Sequence, residues 1–234
     1  LSLEPLQRAN FVDQAYGAIK QLIVGGELPP GTQLKIEALS RRLGVSSSPI
    51  REALRRLENE RWVETIPFRG AFVRLLDEGE LVELYEFREI IELAALSKLM
   101  RRRGPRACNA PDRLNALRAV VGELENAIRA GDAIGYLRAD TQFHQTIVDL
   151  ADNRRLSDLF RTLVEQGRSF MLGRTPEAMA RYKEGRDQHA ELLDLIVAEN
   201  RREAVRLLRR HLRVSLHAIH ETAQAKEGQD HGNA

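Results

Sequence analysis

Leu39-Ser40-Arg41-Arg42-Leu43-Gly44-Val45-Ser46-Ser47-Ser48-Pro49-Ile50-Arg51-Glu52-Ala53-Leu54-Arg55-Arg56-Leu57 is the stretch on which the reading of the fold turns. It holds two apolar patterns around a tight turn. Leu39 and Leu43, with Ile36 upstream, lie at helix spacing, and Gly44 stops that helix. Ser46-Ser47-Ser48 follow, and Pro49 opens the next helix, because a serine ahead of a proline at the first helical position is a helix-start signature. Ile50, Ala53, Leu54 and Leu57 form its buried stripe, which leaves Arg51, Arg55 and Arg56 for an outward face.

Working outward, Phe11 to Val24 places Ala15, Ile19, Leu22 and Ile23 at helix spacing, and Gly25-Gly26 end it. Leu28-Pro29-Pro30-Gly31 is a turn. Downstream, Val63-Glu64-Thr65-Ile66 and Ala71-Phe72-Val73-Arg74 read as two strands joined by Pro67-Phe68-Arg69-Gly70. Three short helices and a ribbon make a winged helix-turn-helix pattern. In such a pattern Ser46, Ser47 and Ser48, at a helix N-terminus, can donate to phosphate. Arg51 can reach a base edge, with guanine the usual partner of a bidentate arginine. Arg55 shares the polar face, and Arg69-Gly70 suits a wing tip at the minor groove. A solvated arginine-rich helix is the plainer alternative, and Trp62 reads as core or interdomain packing.

The rest of the chain is dominated by Leu, Ala, Arg and Glu in long helical periods. Asp77 and Glu80 fit a capping box ahead of a helix from Leu81 to Met100. Further helices are expected over Arg113–Ala130, Ala133–Leu150, Leu156–Leu172, from a Thr175-Pro176 cap to about Ala198, and over Arg202–Ala223. The expected fold class is therefore mainly α. A winged helix-turn-helix domain covers 8–76, an all-helical bundle of about six helices covers 77–224, and a flexible tail covers 225–234.

All six histidines fall in the helical part: His144, His189, His211, His217, His220 and His231. Asp140 and His144 are four apart and project from one helix face. On one straight helix His189 and His211 would stand ~33 Å apart. A hairpin turning near Asn200 brings them back to similar heights. A carboxylate and three neutral imidazoles suit zinc, nickel or another first-row divalent ion. Spacing alone leaves ordinary core or surface histidines as the alternative, and His217, His220 and His231 read as solvated or hydrogen-bonded.

The run from Leu39 to Leu57 resembles the GntR-type winged-helix signature. Leu28-Pro29-Pro30-Gly31-Thr32-Gln33-Leu34 is similar to the loop ahead of it, and Arg69-Gly70-Ala71-Phe72-Val73 to its wing. The chain departs from the family pattern at Ser47 and Glu37, where arginines are common, while Arg51 matches a DNA-contacting arginine. The second part resembles the FCD effector domain of the FadR subfamily. The matching residues are Glu86-Phe87-Arg88-Glu89-Ile90-Ile91-Glu92, Asp140-Thr141-Gln142-Phe143-His144, Asn153, Gln188-His189 and Ala204 to His211-Leu212. This resemblance implies a metal site of Asp140, His144, His189 and His211, with a small carboxylate effector in the bundle core. A buried anion needs a cation. Arg88 is the candidate, its alternative being an ion pair with Glu89 or Glu92, and Arg168 is a second. Thr141 and Gln142 are possible pocket lining.

Composition bounds the rest. The 234 residues carry 36 Lys+Arg against 34 Asp+Glu, a net +2, so any basic face is local. One cysteine, Cys108, excludes an internal disulfide framework and a Cys-rich zinc module. No apolar run approaches the ~20 residues of a membrane span. Leu1-Ser2-Leu3-Glu4-Pro5 lacks a signal-peptide pattern, and a cytoplasmic protein is expected. The reading is a homodimeric regulator, in the repressor sense, that binds operator double-stranded DNA and answers a metal-assisted organic acid. Its competitors are a sensor for which the ion itself is the signal, and a metal-dependent enzyme. Against the enzyme, no general base stands beside the four candidate ligands.

Overall fold

The computed structural model of the protein describes residues 8–102, 108, 110–172 and 182–230, without the side chains of 8–10, 78, 168–172, 182–187 and 217–230. The chain divides into two compact units, Leu1–Leu76 and Asp77–Ala234.

The first unit runs α1 (Arg8–Val24), α2 (Ile36–Leu43), α3 (Ser47–Asn59), β1 (Val63–Ile66) and β2 (Gly70–Val73). Gly44 closes α2 in the left-handed conformation at φ 67°, which glycine adopts without a Cβ penalty. Ser46 is the N-cap of α3, so the helix starts at Ser47, two residues before the expected Pro49. Pro49 then sits in the first turn, where its missing N–H costs nothing because that turn has no intrahelical acceptor. Ile50, Ala53, Leu54 and Leu57 are buried as their spacing requires, in one core with Ala15, Ile19, Ile23, Leu34, Leu39, Trp62, Val63 and Val73. Trp62 thus belongs to the core of its own unit. The antiparallel strands pair Val63 with Val73 and Ile66 with Gly70. A third strip lies beside them that the turn signals do not reveal. Gly31 N donates to Val73 O, Val73 N to Thr32 O, and Leu34 N to Ala71 O, at 2.8, 2.9 and 2.8 Å.

The second unit holds six helices among the described residues: α4 (Glu78–Leu99), α5 (Pro111–Ala130), α6 (Ala133–Leu150), α7 (Arg154–Leu172), α8 (Tyr182–Val197) and α9 (Arg201–Asp230). The capping box forms with both bonds, Glu80 N to Asp77 Oδ1 at 2.8 Å and Asp77 N to Glu80 Oε2 at 3.2 Å. α6 packs against α4, α5 and α7, while α9 packs against α4 and α8. One core joins Leu96, Leu99, Leu117, Leu124, Phe143, Ile147, Ile196 and Leu208, and a second joins Ile91, Val148, Phe160 and Val164. The hairpin between α8 and α9 turns at Glu199, whose φ is 54°, and Asn200. Helix α9 continues to Asp230, past the expected end at Ala223. Gln224, Ala225, Lys226 and Glu227 are all good helix formers, and Gly228 alone argues against the extension. The Thr175-Pro176 cap and His231 lie outside the described residues.

Candidate functional site

Three helices bring four donors to one point in the second unit. Asp140 and His144 come one turn apart from α6, His189 from α8 and His211 from α9. The hairpin at Asn200 brings the last two together. His144 Nε2 lies 3.2 Å from His211 Nε2 and 3.5 Å from His189 Nε2. Asp140 Oδ1 lies 3.2 Å from His189 Nε2 and 3.8 Å from His144 Nε2. All four donor atoms fall within 4.8 Å of one another. Four ligands placed tetrahedrally ~2.1 Å from one ion would stand ~3.4 Å apart, so these spacings suit a shared cation. All three imidazoles are buried, and Phe143 packs edge-on against His144 and His189.

The far side of each imidazole differs. His144 Nδ1 meets Glu92 Oε2 on α4 at 2.5 Å. His211 Nδ1 meets Gln188 Oε1 at 2.9 Å. His189 Nδ1 is buried and has no hydrogen-bond partner among the described residues. Both partnered nitrogens face acceptor oxygens and therefore carry their hydrogens. That leaves the Nε2 atoms of His144 and His211 as the ones facing each other, 3.2 Å apart, where a shared cation would take both.

The electrostatics agree with that donor set. Burial opposes the charge of Asp140, but the hydrogen bond with His189 and the neighbouring His144, His189 and Arg88 outweigh it and hold its carboxyl well below the usual range. Burial, reinforced by the other two histidines, pushes His211 well below the ordinary imidazole value, which keeps it neutral and able to ligate.

Arg88 is buried, and its Nε donates to Glu92 Oε1 at 2.9 Å, so the pair runs through the interior rather than along the helix surface. Its guanidinium lies over the Tyr85 ring at 4.9 Å. Glu89 instead faces Arg209 and Arg213 of α9. Thr141 and Gln142 bond within α6, to Leu137 O and Thr146 Oγ1. Arg102 is held by Asp152 and Ala151 O, which ties that part of the basic Arg101-Arg102-Arg103 segment to its own bundle. The side chains of Arg168, His217 and His220 lie outside the described residues, as does Arg103. Sequence reasoning assigned Glu92 no part in the centre. Its only local signal was the i,i+4 spacing from Arg88.

In the first unit Ser46, Ser47, Ser48, Arg51, Arg55, Arg69 and Gly70 are all exposed. Arg55 leans on Glu52 at 3.0 Å. Arg56 is drawn back to α1, with Asp13 at 2.5 Å and the Tyr16 ring 4.6 Å beneath it, so it belongs to the fold and not to the outward set. At the ribbon tip Gly70 has φ 97°, Gln33 Nε2 donates to Arg69 O at 2.7 Å, and the Arg69 guanidinium lies 5.5 Å from the Phe72 ring centre. Phe68 at this tip is fully exposed and adopts φ 63°, a conformation unfavourable for a bulky side chain.

Comparison with known proteins decides the family. The model of the GntR family of bacterial regulatory proteins matches residues 11–73, and that of the FCD domain matches residues 83–214. The chain belongs to the GntR family and carries an FCD domain. It is a DNA-binding transcriptional regulator of that family, with the architecture of the FadR-like subfamily. It is 32% identical over 152 residues to an HTH-type transcriptional regulator from the TAR-I ttuE-ttuC' intergenic region of Agrobacterium vitis, covering 64% of this chain and 86% of that protein. It is 28% identical over 189 residues to the gluconate operon transcriptional repressor of Bacillus licheniformis, covering 81% and 74%. A solved GntR regulator from Rhodococcus sp. RHA1 superposes with a TM-score of 0.78 at 22% identity, over 89% of this chain and 96% of that one, and so shares its fold. No helix among the described residues is long and apolar enough to cross a membrane.

Proposed function

We propose that this GntR regulator is a cytoplasmic, homodimeric repressor whose FCD domain binds a divalent metal and a small organic acid, and whose operator affinity follows that acid. The observation that carries the reading is the convergence of His144 Nε2 on His211 Nε2 at 3.2 Å and on His189 Nε2 at 3.5 Å, beside an ionised Asp140. Three neutral imidazoles and one carboxylate match zinc or nickel in donor type. Such an ion would be held by Asp140, His144, His189 and His211 and would supply Lewis acidity toward an anionic ligand. Arg88 is the cation closest in kind to what a buried carboxylate needs, and Arg168 is proposed on the family resemblance alone.

Ser46, Ser47 and Ser48 would meet phosphate, Arg51 and Arg55 the major groove, and Arg69-Gly70 the minor groove. Two copies would read two half-sites of a palindrome. Repression is proposed because relatives such as the gluconate operon repressor carry that role. Glu92, the carboxylate beside the four candidate ligands, has both oxygens committed to His144 and Arg88, which favours a regulator over a catalyst.

The test is thermal unfolding of the purified protein against small mono-, di- and hydroxy-carboxylates, with and without a strong chelator. An acid that binds the folded form raises the midpoint by linkage. The expected result is a shift for one acid class that disappears on chelation. Stabilisation by metal with no response to any acid would replace the effector reading with that of a direct metal sensor.

A further inference from the structure

Glu92 belongs to none of the three helices that carry the four candidate ligands, yet it reaches the back of one of them. It projects from α4, is wholly buried, and spends both carboxylate oxygens. Oε2 lies 2.5 Å from His144 Nδ1, and Oε1 accepts from Arg88 Nε at 2.9 Å. A buried carboxylate is costly unless it is paired and hydrogen-bonded. Here Arg88 supplies the charge and His144 the second bond.

We infer that Glu92 is a positioning residue for the metal centre: it fixes the His144 ring with Nδ1 protonated, so that Nε2 is the lone pair facing Asp140, His189 and His211. The chemistry is specific to a carboxylate. An ionised carboxylate only accepts, so it admits a single neutral tautomer of the imidazole facing it. A glutamine in its place could present either an acceptor or a donor. In the second case Nε2 would carry the hydrogen and be lost as a ligand. A carboxylate behind a ligating histidine also raises the donor strength of the ring. The Nδ1 atoms of the other two histidines are held differently, that of His211 by an amide and that of His189 by no hydrogen bond among the described residues. His144 is therefore the anchor of the set. The inference rests on the metal reading above and adds to it a residue that touches no metal.

The test compares wild type with Glu92→Gln, both stripped and reloaded with one ion. Cobalt(II) is followed by its visible absorption, and zinc by competition with a chelating dye. Glu92→Gln is expected to bind zinc 10- to 100-fold more weakly and to change the cobalt spectrum. Equal affinity and an unchanged spectrum in a folded variant would overturn the role of Glu92 while leaving the metal centre standing. Absence of any cobalt spectrum or zinc retention in wild type would overturn both. Should the variant fail to fold, nitrogen-15 spectra of zinc-loaded wild type decide the point. Ligation of His144 through Nε2, with a hydrogen-bonded proton on Nδ1, is expected, and ligation through Nδ1 refutes it.

Discussion

At the start of α3, Arg51 stands exposed with no hydrogen bond or ion pair among the described residues, whereas Arg55 leans on Glu52 and Arg56 is bound to Asp13. A side chain with no structural duty can be removed without cost to the fold. Arg51→Ala is expected to lower affinity by about 1–3 kcal/mol for a duplex selected from a random pool by wild type, and to relax specificity at one position. Fluorescence anisotropy against that duplex checks it, with unfolding and metal content as controls, and unchanged affinity removes Arg51 from recognition. Single residues also mark where sequence reading stopped. The spacing of Asp140 and His144 put them on one helix face but left ordinary histidines as the alternative, and the resemblance supplied the full set, because their meeting with His189 and His211 depends on a chain reversal that spacing permits without requiring. Glu92 was silent because its decisive partner, His144, is 52 residues away. The i,i+4 pair with Arg88 was visible, but its burial was not, since helix α4 has apolar residues on more than one side.

Among the elements, α4 has the best-defined start. Asp77 and Glu80 satisfy each other's backbone N–H groups, and a spacing of three residues sufficed to read it. Asp77→Ala removes the acceptor for Glu80 N and is expected to cost about 1 kcal/mol, read as a lower urea midpoint. Glu92 lies four turns further along the same helix, so zinc affinity of the folded variant is expected to remain at the wild-type value. A loss of zinc affinity would mean that the start of α4 sets the position of its middle. The start of α3 was harder to read. The Ser48-Pro49 step signals a helix, yet proline fits anywhere in the first turn, so the signal fixes the helix and not its first residue. The strip at residues 31–34 escaped for another reason. Its pairing with β2 is a backbone matter, and no periodicity in four residues announces it.

For the whole molecule, the buried charges of the second unit predict how the metal-free protein responds to acid. Asp140 and Glu92 are both held below the ordinary carboxylate range. Burial opposes this at each, and it is outweighed by the His189 bond and the neighbouring charges for Asp140, and by His144 and Arg88 for Glu92. Their contribution is present above about pH 4, the unfolded value, and is lost as the pH falls through the lowered folded values. His211 is lowered by burial, so below about pH 6.5 the unfolded chain binds a proton that the folded chain refuses. Both effects have the same sign. The urea midpoint of metal-free protein is expected to fall from about pH 6.5 down to pH 5, and His211→Asn is expected to flatten that fall, the carboxylates adding theirs only below about pH 4. A midpoint independent of pH in this window would contradict the depressed His211.

One consequence concerns time rather than strength. Of the three imidazoles, that of His189 is steadied by the rings of Phe143, His144 and His211 and by Asp140 at its Nε2, with no hydrogen bond gripping its Nδ1 among the described residues. A ring held by packing can swing about its side-chain torsions without breaking a polar bond behind it. The centre thus has a firm side, at His144, and a hinged side, at His189. An incoming oxygen ligand that displaces one donor would displace His189 first. Under the proposed effector reading, the lifetime of the His189 contact would then set how quickly the regulator registers a change in its surroundings.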